Sequence, residues 1–295
     1  MMKKYYFENI KFDPKIQFKI EKTLLQMDFS LHSHVDFSEL VIIVSGSAKH
    51  LFNGTYYNIS RGDIFILNKD SNHAFYEVNN LELYNIMYQA NEYLDHMDSI
   101  KELLGYQALF VVEPLIRRKI AEKSMTRLDL PTFLFILNNI EQMSHEFNSE
   151  KPGYDIMIRG YFKQLVVSLS RYYSDHFLEK NTVWYFSNVL SHIEKNYTNP
   201  LQLEELAAIC HLSKRQFQRS FKDYFQITAY DFILQKRIEK ACFLLQESTL
   251  PITEIALSCG FNDANYFSRL FKSKKSKTPH AFRLHPKHNN ERPLV

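Results

Sequence analysis

Residues Phe217–Ala229, FQRSFKDYFQITA, return fifty positions later as Phe267–Pro279, FSRLFKSKKSKTP. Five of the thirteen positions are identical (Phe, Arg, Phe, Lys and Thr), and a self-match at fixed offset marks a duplicated supersecondary unit. A short helical stretch and a turn precede each copy. In the first they are Leu203–Cys210 and His211-Leu212-Ser213; in the second, Ile252–Ser258 and Cys259-Gly260-Phe261-Asn262. Short helix, tight turn, longer helix is a helix-turn-helix, so the C-terminal third is expected to carry two, at about 203–225 and 252–274.

The longer helix of each unit sorts into two faces. Phe217, Phe221 and Tyr224 should bury in the first, turning Lys214, Arg215, Gln218, Arg219 and Lys222 outward. In the second, Phe267, Leu270 and Phe271 go inward, leaving Ala264, Asn265, Ser268, Arg269 and Lys272 outward. Arg, Gln and Asn carry the forked donors and acceptors that match guanine and adenine edges in the major groove, and lysine suits phosphate. Residues 230–247 between the units form one amphipathic helix. At ~1.5 Å per residue it spans about 27 Å, against the ~34 Å between successive major-groove faces. Net charge over all 295 residues is only +3, but residues 201–295 hold 15 Lys and Arg against 9 Asp and Glu. That leaves 21 and 24 for residues 1–200, a mildly acidic body joined to a basic third.

The remainder reads differently. Short runs rich in Val, Ile, Phe and Tyr (Leu40–Val44, Lys49–Phe52, Tyr56–Ile59, Asp63–Leu67, His73–Val78, Leu83–Tyr88) alternate with turn signals such as Ser45-Gly46, Asn53-Gly54, Arg61-Gly62 and Asn79-Asn80. About six strands at that spacing predict a small sandwich or barrel. Segments 131–148 and 154–176 then show helical stripes: Phe133, Leu134, Leu137, Ile140 and Phe147, and Ile158, Phe162, Leu165, Val166, Leu169 and Tyr173. The polar stretch Phe177–Thr182 reads as a linker. With seven glycines and no GxG, the chain lacks the residues of a dinucleotide or P-loop phosphate cradle. Three cysteines without a CxxC fit reduced thiols in the cytoplasm. No signal-peptide pattern opens the chain and no apolar run approaches the ~20 residues of a membrane span.

In the β region, His32-Ser33-His34, then Glu39, Gly46, Gly62 and His73 follow the spacing of the two cupin motifs, with Asn68 and Asp70 in place of the second motif's proline and glycine. His32, His34, Glu39 and His73 are the three-histidine, one-carboxylate set that holds iron, manganese or nickel in cupin enzymes. A cupin metalloenzyme using open positions on such an ion is one reading of that set; no Ser-His-Asp or Cys-His constellation stands out.

The stretch Leu203–Arg283, above all RIEKACFLLQES, ITEIALSCGFNDANYFSRLFK and TPHAFR, resembles the DNA-binding domain of the AraC/XylS family of bacterial transcription regulators. The segment HSHVDFSELVIIVSGSAKHLFNGTYYNISRGDIFILNKDSNH, continued by LYNIMYQANEYL, is similar to that family's sugar-sensing arm, most of all in its rhamnose-responsive members. The resemblance implies an α+β protein of two domains: residues 1–178 a cupin-like β-barrel with flanking helices, residues 183–295 an all-α domain with two helix-turn-helix units. It implies that Arg215, Gln218 and Arg219 read bases in one unit and Asn265, Ser268 and Arg269 in the other. It further implies double-stranded DNA, a small-molecule effector such as a sugar, RNA polymerase and a second copy of the chain as partners, an effector pocket at His32, His34, Glu39 and His73 without metal or other cofactor, and no enzymatic activity. A regulator without a ligand, controlled by abundance or a protein partner, is the alternative in that class. Where family members place glycine and then proline after each recognition helix, this chain has Gln226 and Ala229, and Ser276 before Pro279, which predicts strained caps.

Overall fold

The computed structural model describes residues 3–6, 13, 16–69, 71–89, 98–116, 126–177 and 182–284. The centre of the expected linker, residues 90–94 of the sensor-arm similarity, and residues 285–295 of the expected second domain lie outside them. The chain divides into two compact units, Met1–Ser187 and Asn188–Val295.

The first unit is an eight-stranded sheet built on two long strands. Its strands are β1 (Lys3–Tyr5), β2 (Phe18–Leu25), β3 (Phe29–His34), β4 (Ser38–Phe52), β5 (Thr55–Ser60), β6 (Asp63–Leu67), β7 (Asn72–Tyr88) and β8 (Thr126–Arg127). β4 and β7 run antiparallel along their whole length, and each changes partner halfway. The first half of β4 pairs with β6 and its second half with β5; β7 pairs first with β3 and then with β2. The two halves therefore face one another. Their shared interior holds Val41, Ile43, Phe52, Tyr57, Phe65, Leu67, Phe75, Leu81 and Leu83, drawn from every strand from β4 to β7.

Two of the expected turns are bends within single strands. Ser45-Gly46 and Asn79-Asn80 lie in β4 and β7, where the register shifts repeatedly between Ile43 and Lys49. Gly46 has φ +76°, and a Cβ there would lie 2.1 Å from the Asn80 carbonyl oxygen, so only glycine lets the bent strands touch. A local Gly signal cannot distinguish a reversal of the chain from a bulge inside a strand. Asn53-Gly54 behaves as expected, with both residues at positive φ in the two-residue β4–β5 hairpin.

Short helical pieces lie between Asp98 and Ile116, followed by α1 (Leu130–Ser149) and α2 (Tyr154–Phe177). Asp129 caps α1 by accepting from the Thr132 amide, ahead of Pro131 in the first turn. In α2 all six expected apolar positions are buried. α1 differs: Phe133 and Ile140 are buried with Ile136, Asn139 and Met143, while Leu134 is 51% exposed. Phe133–Ile136–Ile140–Met143 is the true 3.6-residue stripe.

The second unit comprises the α-helices α3 (Thr182–Asn196, entering from the first unit), α4 (Leu203–Ile209), α5 (Lys214–Phe225), α6 (Ala229–Glu247), α7 (Ile252–Ser258), α8 (Ala264–Lys275) and α9 (Pro279–Leu284). Among the described residues no helix is long and apolar enough to cross a membrane.

Candidate functional site

The first helix-turn-helix is set by three local devices. The Leu212 amide donates to the Ala207 carbonyl at 3.0 Å, with His211 left-handed at φ 53°, which ends α4 sharply. Ser213 and Gln216 form a reciprocal capping box that starts α5. Phe217, Phe221 and Phe225 then bury on one side, with ring centroids 5.6 and 4.5 Å apart. Phe225 takes the third core position expected of Tyr224, which is only half-buried. On the opposite side Lys214, Arg215, Gln218, Arg219 and Lys222 are all exposed. Lys214 reaches back to Glu204 at 2.8 Å, an exposed ion pair that holds the Glu204 carboxyl below its usual range.

The second unit repeats the scheme with one residue more. Five residues, Cys259–Asp263, separate α7 from α8, against four, Cys210–Ser213, between α4 and α5. The offset between copies is therefore 49 in the first helices and 50 in the second. Gly260, at φ +85°, stands where His211 stands in the first copy, and its Cβ would meet the Thr198 carbonyl oxygen at 2.5 Å. Asp263 caps α8 by accepting from the Asn265 and Tyr266 amides at 2.7 and 3.2 Å. Phe267 and Phe271 are buried; Asn265, Arg269 and Lys272 are exposed and Ser268 half-buried. Ala264 does not belong to the outward face. It packs against the cluster that contains Leu234, Ile255, Phe261 and Phe267, because the first turn of α8 tilts that small side chain onto the core.

α6 holds the two units. Its nineteen residues span about 28 Å. Ile233, Leu234, Ile238, Ala241 and Leu245 are buried, and Phe232 packs edge-on to Phe221 of the first unit at 5.9 Å. Arg237, which sequence reasoning did not single out, donates to three backbone carbonyls: Tyr197 at 2.6 Å, Gly260 at 2.8 Å and Asn199 at 2.9 Å. It is a clamp on the fold, not a free cation. Both α5 and α8 end as expected on left-handed caps, Gln226 at φ 61° and Ser276 at φ 57°.

In the sheet unit, β3, β4 and β7 bring the four expected residues together. His32 and His73 are direct partners across β3 and β7, and Glu39 enters from the first half of β4. His32, His34, Glu39 and His73 are 5%, 4%, 3% and 2% exposed. His34 Nε2 lies 3.4 Å from His73 Nε2 and 3.6 Å from Glu39 Oε2, and His73 Nε2 lies 3.8 Å from that same oxygen. Burial pushes the Glu39 carboxyl up to about 8 and, with His32 adding to it, pulls His34 down to about 3. His73 is likewise held well below its usual value by burial and its histidine neighbours. A fourth histidine was missed. His50 is fully buried, stacks between Phe65 and Phe75, and lies with Nε2 3.4 Å from His73 Nδ1. Its parity with Ala48 and Phe52 along β4 was the available signal for an inward side chain.

Comparison with known proteins bears on both units. Residues 17–166 match the AraC-like ligand binding domain family, and residues 206–285 match a helix-turn-helix domain family. The chain is 30% identical over 257 residues to the HTH-type transcriptional activator RhaR of Escherichia coli, covering 86% of this chain and 87% of that protein. The RhaR of Shigella dysenteriae serotype 1 is 29% identical over the same span and shares. Among solved structures, the C-terminal domain of the two-component response regulator yesN from Fusobacterium nucleatum is 38% identical, covers 32% of this chain and 93% of that one, and gives a TM-score of 0.31.

Proposed function

The chain belongs to the AraC family of transcription regulators, and from that premise we propose how its residues divide the work. It is a DNA-binding regulator with a ligand-binding domain. Arg215, Gln218 and Arg219 read bases in one major groove, and Asn265, Ser268 and Arg269 read them in the next. Lys214, Lys222 and Lys272 contact phosphates, while Ala264 supports its helix from below.

One observation carries this reading. Both polar faces are exposed on helices whose opposite faces are tied to the same rigid α6. Selecting duplexes bound by the full chain from a random pool tests it. The expected site has two half-sites centred ~10–10.5 base pairs apart. A single short site, or none, would refute it.

RhaR is by name an activator. That likeness supports activation, with RNA polymerase as the protein partner in the cytoplasm. The similarity of the sheet unit to sugar-sensing arms supports a small sugar as effector, bound in the region of His32, His34, Glu39 and His73. Self-association is supported by apolar side chains left exposed on α1 (Leu130, Leu134, Phe135) and α2 (Ile156, Met157). Thermal-shift screening of sugars tests the effector, since a ligand of the folded state must raise its stability.

A further inference from the structure

We propose that the outer face of the sheet unit, where β4, β5, β7 and β8 adjoin, binds a small hydroxylated carboxylate about the size of one sugar ring. A cleft of 290 Å³ opens there, close to the lower bound of the ~300–1,000 Å³ usual for small-molecule sites. Ser47, Lys49, Asn58, Ser60, Glu77 and Arg127 supply its polar lining. Side chains alternate along a strand, so Lys49 and Asn58 point outward where their neighbours Ala48, His50 and Ile59 are buried. The cleft is therefore on the other side of β4 from the histidine cluster, and it does not depend on the effector reading.

Two charged groups are fixed in it by the fold. Ser47 pairs with Asn79 and Lys49 with Tyr76, so one residue of β4 faces two of β7, Glu77 and Val78. Such a bulge re-aims a side chain, and a bulge whose first residue is left-handed ordinarily has glycine there. Here that residue is Glu77, at φ 50°. Its carboxylate accepts from Lys49 at 2.5 Å, and its second oxygen has no partner among the described residues. Arg127 is held from behind. Asp63, only 1% exposed, accepts from Nε at 2.7 Å and from Nη2 at 2.9 Å, and Nη2 also donates to Ser60 Oγ at 2.9 Å. Nη1 is left without a partner among the described residues.

The free groups are mostly donors: Arg127 Nη1, the rest of the Lys49 ammonium, the Asn58 amide and the Ser47 hydroxyl. A donor-rich cleft takes a ligand rich in acceptors, and a carboxylate on the guanidinium makes the strongest such bond. Glu77 then accepts from a ligand hydroxyl. Lys49 is paired with Glu77 and Arg127 with Asp63, so no surplus charge favours a phosphate dianion. Arg127 bonds Ser60, the partner of Ser47, while Glu77 bonds Lys49, two residues further along β4. These ends are ~7 Å apart and bracket one sugar-sized ring or a short polyol chain. Beyond Lys49, the exposed Tyr56 packs on Tyr76 at 6.1 Å and offers a ring to the ligand's C–H face.

The test is calorimetric titration of the full-length protein with D-gluconate and D-galacturonate, each beside its neutral counterpart, D-glucitol and D-galactose. At least one acid is expected to bind once per chain and ~10–100-fold tighter than its counterpart, the worth of a charge-assisted hydrogen bond. Asn58→Asp brings a second carboxylate to the cleft and should abolish that binding. Lys49→Gln should weaken it about fivefold or more. Both side chains reach solvent, and unliganded melts report folding; if Asn58→Asp is unfolded, Lys49→Gln carries the test. Binding of neither acid, equal binding of acid and counterpart, or affinity unchanged in either folded variant overturns the site. Duplex binding by the same preparations is read separately, so failure here is distinct from failure of the regulator reading.

Discussion

Arg237 donates to the carbonyl of Gly260 at 2.8 Å, and Gly260 sits so near the Thr198 backbone that a Cβ there would lie 2.5 Å from the Thr198 carbonyl oxygen. One side chain of the connecting helix thus fastens the turn of the second unit to the segment that precedes the first. Charge-assisted bonds to carbonyls are worth more than neutral ones, and losing them strands acceptors. Arg237→Met should destabilise the second unit by about 2–4 kcal/mol, with Arg237→Lys recovering part of the loss. Urea unfolding followed by circular dichroism measures it, and a change below ~0.5 kcal/mol would contradict the clamp.

Gln226 and Ser276 occupy left-handed caps that favour glycine. Gln226→Gly and Ser276→Gly should each stabilise by roughly 0.5–1 kcal/mol, less for Gln226, whose side chain already donates to the Asp223 carbonyl at 2.8 Å. Thermal melts of the single and double variants report this, and lowered midpoints would show that the caps are not strained.

At Gly46 the sign reverses. Ala places a Cβ on the Asn80 carbonyl, a backbone atom that cannot swing aside. Gly46→Ala should cost more than ~2 kcal/mol in the sheet unit and leave duplex affinity per folded molecule unchanged. An unperturbed melt would mean that the β4–β7 bend can relax.

Arg215→Ala and Arg269→Ala should each cost about 1–3 kcal/mol of specific binding and relax sequence preference in one half of the site only. Competition against duplexes randomised in either half distinguishes the two. Unchanged discrimination would remove that helix from the base readers.

Lys272→Ala should weaken all sequences alike and lower the slope of log affinity against log salt by about one unit. A loss confined to one sequence would count against a phosphate role.

The second unit was largely legible because its determinants are local. Ser213 with Gln216, the aromatic steps at Phe217 and Phe267, and the turn residues before α5 and α8 all act within a few positions. Tyr224 and Ala264 escaped because their environment depends on what the helix packs against, which period alone does not state. The sheet unit was legible as β but not in its topology. The bends at Gly46 and Asn80 look like hairpin turns until both long strands are seen to bend together. In the histidine cluster, motif spacing brought His32, His34, Glu39 and His73 to notice. His50 belongs to no motif and joins them only through the β4–β7 pairing.

The helices α5 and α8 that α6 holds are unlike: one exposes Arg215, Gln218 and Arg219, the other Asn265 and Arg269 with a half-buried Ser268, after a longer turn. A chain with two different ends cannot be turned around on its site and fit equally well. On the proposed reading, each bound copy is expected to have a direction along the duplex, with or without a second copy beside it. An operator for this protein is expected to carry an arrow, and inverting it should face the molecule away from the gene it serves.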